Sequence, residues 1–235
     1  MNTLHSLAVS PEHPAGALIY RDDRFRVILR PLELRDAEAV ASAIDQSLPE
    51  LRRFMVWAHE PQTAVIQLAR IKGSLADYHV GRALQMGLFA EDTGELLTVC
   101  GMERRVPLNP NGWEIGYWTP SRVTKRGHAT LATQLLTLYA FDLLRSDRVQ
   151  ILVDEANVAS SRVVEKCGFI EEGRLTHVTT QPAPELRAAG YRPSPRCILS
   201  ALWPESYGQL AWPPILRRHL EVRNLLGHRV TGFWS

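Results

Sequence analysis

Between residues 113 and 167 the chain reads strand, loop, helix, strand, helix, and that order leaves few folds open. Residues 113–119 favour a strand, 128–144 form a Leu- and Ala-rich helical stretch, 149–153 a short apolar strand, and 158–167 a second helix. Strands so close to helices must pair into a sheet on which the helices pack, so a mixed α/β architecture is expected. Upstream, strands at 84–90 and 96–103 flank Glu91-Asp92-Thr93-Gly94-Glu95, a Gly-containing loop suited to a hairpin. Residues 26–30 read as the first strand. One helix is expected from Asp36, its acidic start favoured by the helix dipole, and a third over 63–78, weakened by Gly73. Between them Ser47-Leu48-Pro49-Glu50 has the S-x-x-E pattern of a capping box. Strands near 170–179 and 197–203 complete the sheet.

Outside that pattern the signals weaken. Residues 1–22, with Pro11, Pro14 and Gly16, read as an arm, 23–205 as the folded domain, and 206–235 as a C-terminal extension. In the extension, 215–226 reads as an amphipathic helix ended by Gly227, packed on the domain, at a homodimer contact, or over the substrate. The loop at 181–195 carries Pro182, Pro184, Pro193 and Pro195, which restrict its freedom; it is expected to wall the acceptor site, the alternative being a freely varying surface excursion, which would place the acceptor site at 47–59.

Composition narrows the partners. A formal net charge of +2 over 235 residues gives no strong field for nucleic acid or an anionic membrane. Cys100, Cys167 and Cys197 lack metal-ligand spacing, as do the histidines, so buried thiols and no metal are expected. The first twenty residues lack the basic start and apolar run of a signal peptide, and no stretch is long enough to span a bilayer; the expectation is a cytoplasmic protein.

Chemistry concentrates at Thr124-Lys125-Arg126-Gly127-His128-Ala129-Thr130, which follows a strand and opens a helix. A helix N-terminus offers unpaired N–H groups to an anion, and glycine lets a phosphate approach the backbone. A plain loop with solvated basic residues has the same composition. Two further segments bear on the choice: Trp113-Glu114-Ile115-Gly116-Tyr117-Trp118 upstream, and the run from Asn157 through Ser160, Glu165 and Lys166 to Gly168-Phe169 downstream.

In order and spacing the three segments resemble the GNAT superfamily of N-acetyltransferases, and within it the ribosomal-protein alanine N-acetyltransferase branch. The resemblance covers roughly residues 22–203 and implies a mostly antiparallel, twisted sheet, splayed at the cofactor site, with helices on both faces. It implies acetyl-CoA as co-substrate. Tyr117, Trp118 and Thr119 would pair through their backbone with pantetheine, and the amides from Lys125 through Arg126, Gly127, His128 and Ala129 to Thr130 would hold the pyrophosphate. Asn157 would bond to the pantetheine arm and Ser160 would lie near the thioester sulfur. Thr124 departs from the family's Gln or Arg, which puts a side-chain bond to phosphate in doubt. Val164 stands where many members carry a tyrosine.

The reaction needs a neutral amine and a donor for the departing thiolate. Ser160 is the candidate donor; an ordinary helix-terminal role for it, and substitution by Ser161, are the alternatives. Glu114 is the candidate general base, since a carboxylate desolvated beside the sheet opening suits proton abstraction; orienting the substrate ammonium or pairing with a nearby Arg are its other roles. Glu103 and His128 rank behind it. The acceptor stays open among a protein N-terminus, a small amino compound, and an antibiotic or aminoacyl compound; a non-catalytic acyl-CoA-binding domain is the reading from outside the enzymes.

Overall fold

A computed structural model describes residues 15–107, 109–178 and 183–231. Most of the expected arm (1–14), Pro182 and the last four residues of the extension lie outside these. The chain begins with β1 (Ala17–Arg21) and β2 (Arg26–Pro31), then α1 (Ala37–Asp45), α2 (Leu48–Leu51) and α3 (Ala64–His79). Next come β3 (Ala83–Ala90), β4 (Leu96–Glu103), β5 (Gly112–Trp118), α4 (His128–Leu138) and β6 (Arg148–Asp154). Then follow α5 (Val158–Lys166), β7 (Ile170–Thr176), α6 (Pro184–Ala188), β8 (Arg196–Leu202), α7 (Pro204–Gly208), α8 (Trp212–Arg218), β9 (Leu220–Arg223) and β10 (Arg229–Val230).

All ten strands join one sheet in the order β10-β9-β1-β2-β3-β4-β5-β6-β8-β7. Every pairing is antiparallel except β5 with β6. A parallel pair needs a long crossover, and α4 supplies it. Leu131, Leu135, Leu136 and Leu138 of α4 are buried in the main core on one face of the sheet, each contributing roughly 1.5–3 kcal/mol. A smaller core joins α1, α3 and the opposite face through Val40, Ile44, Ile71, Phe89 and Val99. After α4 the helix widens into a π turn over Tyr139–Leu143, which moors Ala15, where the described residues begin, and α8. Tyr139 accepts a hydrogen bond from the Ala15 amide at 2.6 Å. Asp142 takes the Arg217 guanidinium at 2.7 and 2.9 Å.

Three sequence expectations need correction. Residues 17–21 belong to β1, not to an arm, because Leu18, Ile19 and Tyr20 are buried between β2 and β9. The helix expected over 215–226 stops at Arg218. Leu220 and Val222 are buried while Glu221 and Arg223 stay half-exposed, a period of two that suits the strand β9. The capping box at Ser47 does not form. Its hydroxyl donates to the Ala43 carbonyl at 2.7 Å and accepts the Ser121 amide at 3.0 Å, while Glu50 takes the Ser121 hydroxyl at 2.9 Å. Thus α2 braces the segment leading into α4.

The three cysteines are buried and unpaired. Burial pushes the Cys167 thiol up to about 12, which keeps it protonated and inert. Among the described residues no helix is long and apolar enough to cross a membrane.

Candidate active site

The sheet parts in its middle. β5 and β6 pair at Gly112↔Arg148, Trp113↔Val149 and Glu114↔Gln150, and no pairing continues beyond. Each strand is held from its outer side, β5 by β4 as far as Val99↔Trp118 and β6 by β8 as far as Asp154↔Cys197. The inner backbone edge of 115–118 therefore lacks a strand partner, and Thr119 follows at its end, its hydroxyl 3.2 Å from that of Thr98.

On one side of the parting lies the start of α4. Gly127 is its N-cap in a left-handed conformation, φ 93°, and Lys125 two residues earlier is also left-handed, φ 62°. Among the described residues, none of the six amides from Lys125 to Thr130 donates to an acceptor in the chain. Such a row of N–H groups at a helix start is an anion site. A Cβ on Gly127 would lie 3.2 Å from the Phe25 ring, so the β1–β2 turn closes the glycine's other side. Thr124 donates its hydroxyl to the Ser121 carbonyl at 3.0 Å. Lys125 and Arg126 are exposed at the same mouth. His128 sits edge-on to Phe25 at 5.9 Å, and burial, with Arg126 nearby, holds its imidazole below the ordinary histidine value.

At the start of α5 Asn157 is the N-cap; its Oδ1 accepts the Ser160 amide at 3.2 Å. The two serines then diverge. Ser161 donates to the Asn157 carbonyl at 3.3 Å, whereas Ser160 Oγ lies 2.8 Å from the Tyr117 hydroxyl. Val164 is buried in the core, so no hydroxyl comes from that position.

The opposite face opens into a cleft of about 1010 Å³ between α1, α3 and strands β3 to β5. Glu114 lines it, with Gln150 donating to its carboxylate at 2.9 Å and Arg148 in turn holding Gln150 at 3.2 Å. Glu103 lies directly opposite Glu114 in the β4–β5 register and faces the same cleft. Like charges so placed repel; Arg105, 2.5 Å from Glu103, and Gln150 offset this. Met55, Trp57 and Trp118 give the cleft an aromatic and apolar end, the two indoles 6.2 Å apart. No described residue of the Pro-rich loop lines it. That loop meets 47–59 instead, with Tyr191 edge-on to His59 at 5.7 Å and the Arg192 amide on the Arg53 carbonyl, while Met55 and Trp57 of 47–59 line the cleft.

Residues 26–170 match the family model of the acetyltransferase (GNAT) domain. This protein is a GNAT acetyltransferase. YdaF of Bacillus subtilis, provisionally named a ribosomal N-acetyltransferase, is 30% identical to it over 149 residues, 63% of this chain and 80% of YdaF. The spermidine N(1)-acetyltransferase of Escherichia coli is 28% identical over 153 residues, 64% of this chain and 76% of that enzyme. Among solved structures, RimJ of Mycobacterium smegmatis in complex with CoA-disulfide superposes with a TM-score of 0.70 at 22% identity, covering 88% of this acetyltransferase and 95% of RimJ. The family match leaves β1 and everything after Ile170 outside it. Gln150, Trp57 and the Tyr117 hydroxyl are site features that the sequence did not expose, since each depends on register or on a contact between distant elements.

Proposed function

We propose that this enzyme transfers acetyl from acetyl-CoA to the α-amine of a protein N-terminus or a small amino compound. The observation that carries the reading is the parting of β5 from β6 between two unlike surfaces. Six free amides lie on one side, suited to a pyrophosphate, and a cleft with two carboxylates lies on the other, suited to an ammonium. Pantetheine would lie in the parting, along the backbone of Tyr117, Trp118 and Thr119, with Asn157 bonding its arm. The thioester would then meet Ser160 from one face and Glu114 from the other. Glu114 takes the amine proton, directly or through water; the amine attacks; and Ser160 meets the sulfur as it leaves.

The acceptor class follows from the base. An α-amine near pKa 8 is roughly 300 times easier to deprotonate at neutral pH than a lysine side chain near 10.4. A single carboxylate held by one amide donor suits the easier task. The ribosomal name of YdaF is consistent with a protein N-terminus, while the spermidine enzyme shows that relatives at similar identity differ in acceptor.

Turnover of labelled acetyl-CoA against N-terminal peptides, their α-blocked lysine-containing versions and spermidine tests the reading. Free-N-terminus peptides should be preferred. Saturating acetyl-CoA should also raise the thermal midpoint, by about 2.7 kcal/mol of stability at a hundredfold excess over its dissociation constant. No thermal shift would overturn the cofactor assignment; preference for α-blocked peptides or spermidine would overturn the acceptor assignment alone.

A further inference from the structure

Alternation along β5 sends Trp113, Ile115 and Tyr117 to one face of the sheet and Glu114, Gly116 and Trp118 to the other. Tyr117 therefore stands with α4 and α5, away from the cleft's carboxylates. Its hydroxyl lies 2.8 Å from Ser160 Oγ and 3.3 Å from the Ser160 carbonyl. Among the described residues, Ser160 Oγ has no other hydrogen-bond partner. Burial raises the Tyr117 phenol well above its ordinary value, so it is protonated throughout the working range.

We propose that Tyr117 is a positioning residue for departure of the thiolate: its hydroxyl donates to Ser160 Oγ and turns the serine proton toward the sulfur. This rests on the reading of Ser160 as the group that meets the sulfur. A serine hydroxyl has one proton and two lone pairs. If Tyr117 supplies a hydrogen bond to one lone pair, the serine proton is released for the substrate. Without it, a serine in the first turn of a helix turns back to a nearby backbone carbonyl, as Ser161 does here.

Acidity sets what the pair can do. A thiol ionises near pKa 8.5 and a hydroxyl far higher, so a leaving thiolate does not strip the proton from serine. The pair instead stabilises charge through a hydrogen-bonded chain from phenol to alcohol to sulfur, each bond polarising the next. In the step, the amine nitrogen bonds to the thioester carbon, and the C–S bond breaks with its electron pair going to sulfur. The amine's proton passes to Glu114 and water. After release, water returns a proton to the thiolate, so the sum is an amide and a thiol.

Tyr117→Phe keeps the ring and removes only the donor. Acetyl-CoA affinity and the acceptor KM should hold, while kcat falls about 10-fold. Ser160→Ala should lower kcat about 100-fold, and the double variant should be no slower than Ser160→Ala, because the phenol acts through the serine. With an acetyl thioester of a more acidic thiol, the Tyr117→Phe defect should shrink toward unity. That comparison is internal to each variant, so a partly destabilised protein still reads it. A full additional 10-fold loss in the double variant, or the same defect with both thioesters, would overturn the positioning role and leave Ser160 in place. Native turnover in Ser160→Ala would overturn the serine assignment and the Tyr117 role with it.

Discussion

Two seams in the sheet are built by opposite rules. Where β9 meets β1, four pairs run in register from Ala17↔Arg223 to Tyr20↔Leu220. Ions lock the exposed side, with Arg21 bonding both Glu91 at 2.9 Å and Glu221 at 3.4 Å. Where β5 meets β6, three pairs form and the strands then part. The closed seam satisfies its polar groups internally, while the open one leaves backbone edges and helix-start amides without partners among the described residues. Packing explains how the second persists. Each strand beyond the parting is anchored to a neighbour on its outer side, so closing the gap would mean dragging β4 or β8 along. An opening in a sheet is stable when the elements behind it are fixed.

Charge at the open seam should have the largest effect. Gly127→Glu places a side chain where φ is 93° and the Phe25 ring is 3.2 Å away, and adds a negative charge beside the free amides. Acetyl-CoA should no longer shift the melting point, and affinity measured by calorimetry should fall by about 100-fold or more. An undiminished shift would mean that the cofactor phosphates bind elsewhere. Next comes Glu114→Gln, which keeps shape and removes the proposed base. Turnover should drop about 100-fold with the acetyl-CoA shift intact; unchanged turnover would leave Glu114 an orienting group.

The closed seam should respond in stability rather than in kinetics. Gly16→Ala would drive a Cβ to 2.3 Å from the Asn224 carbonyl oxygen. A clash of that kind costs about 1–3 kcal/mol, which lowers the melting point by several degrees at this chain length while kcat per folded molecule holds. A drop in kcat would show that the two seams are coupled.

The smallest effect is in acid. Arg21 first, and Arg26 and Arg223 with it, holds the Glu91 carboxyl below its ordinary range, and Arg223 first does the same for Glu221. A depressed folded-state value stabilises above the unfolded value near 4.3 and stops doing so as pH falls through the folded one. Arg21→Ala should therefore cost up to about 1 kcal/mol at neutral pH, with the deficit fading below about pH 4. A deficit independent of pH and salt would point to lost packing of the arginine stem instead.

The sequence was most legible where the chain is most regular. The strand expected over 96–103 has those bounds in the structure, and the hairpin turns through Gly94 as its loop composition suggested. β1 and β9 escaped because both are short, and although each also pairs with a strand close in sequence, the pairing of β1 with β9 joins segments some 200 residues apart. Ser47-Leu48-Pro49-Glu50 matched a capping pattern, yet its polar groups were drawn to Ser121, a contact that only the tertiary fold creates. At the candidate site the helix start and its glycine were readable from composition. The parting of β5 from β6 was not, and entered only through resemblance; the Gln150–Glu114 contact depends on a register that no single strand encodes.

The three-pair junction also divides the sheet. β10, β9 and β1 to β5 form one block of the sheet and β6 to β8 another, joined as strands among the described residues only at 112–114 and 148–150. Closing a parallel junction across a crossover costs loop entropy, because the chain must be ordered over α4 for these contacts to form. The two blocks should then breathe against each other at a free energy below that of global unfolding. A ligand laid along the inner edge of 115–118 would bridge them. Its binding should slow amide exchange in both blocks at once, merging two unfolding units into one.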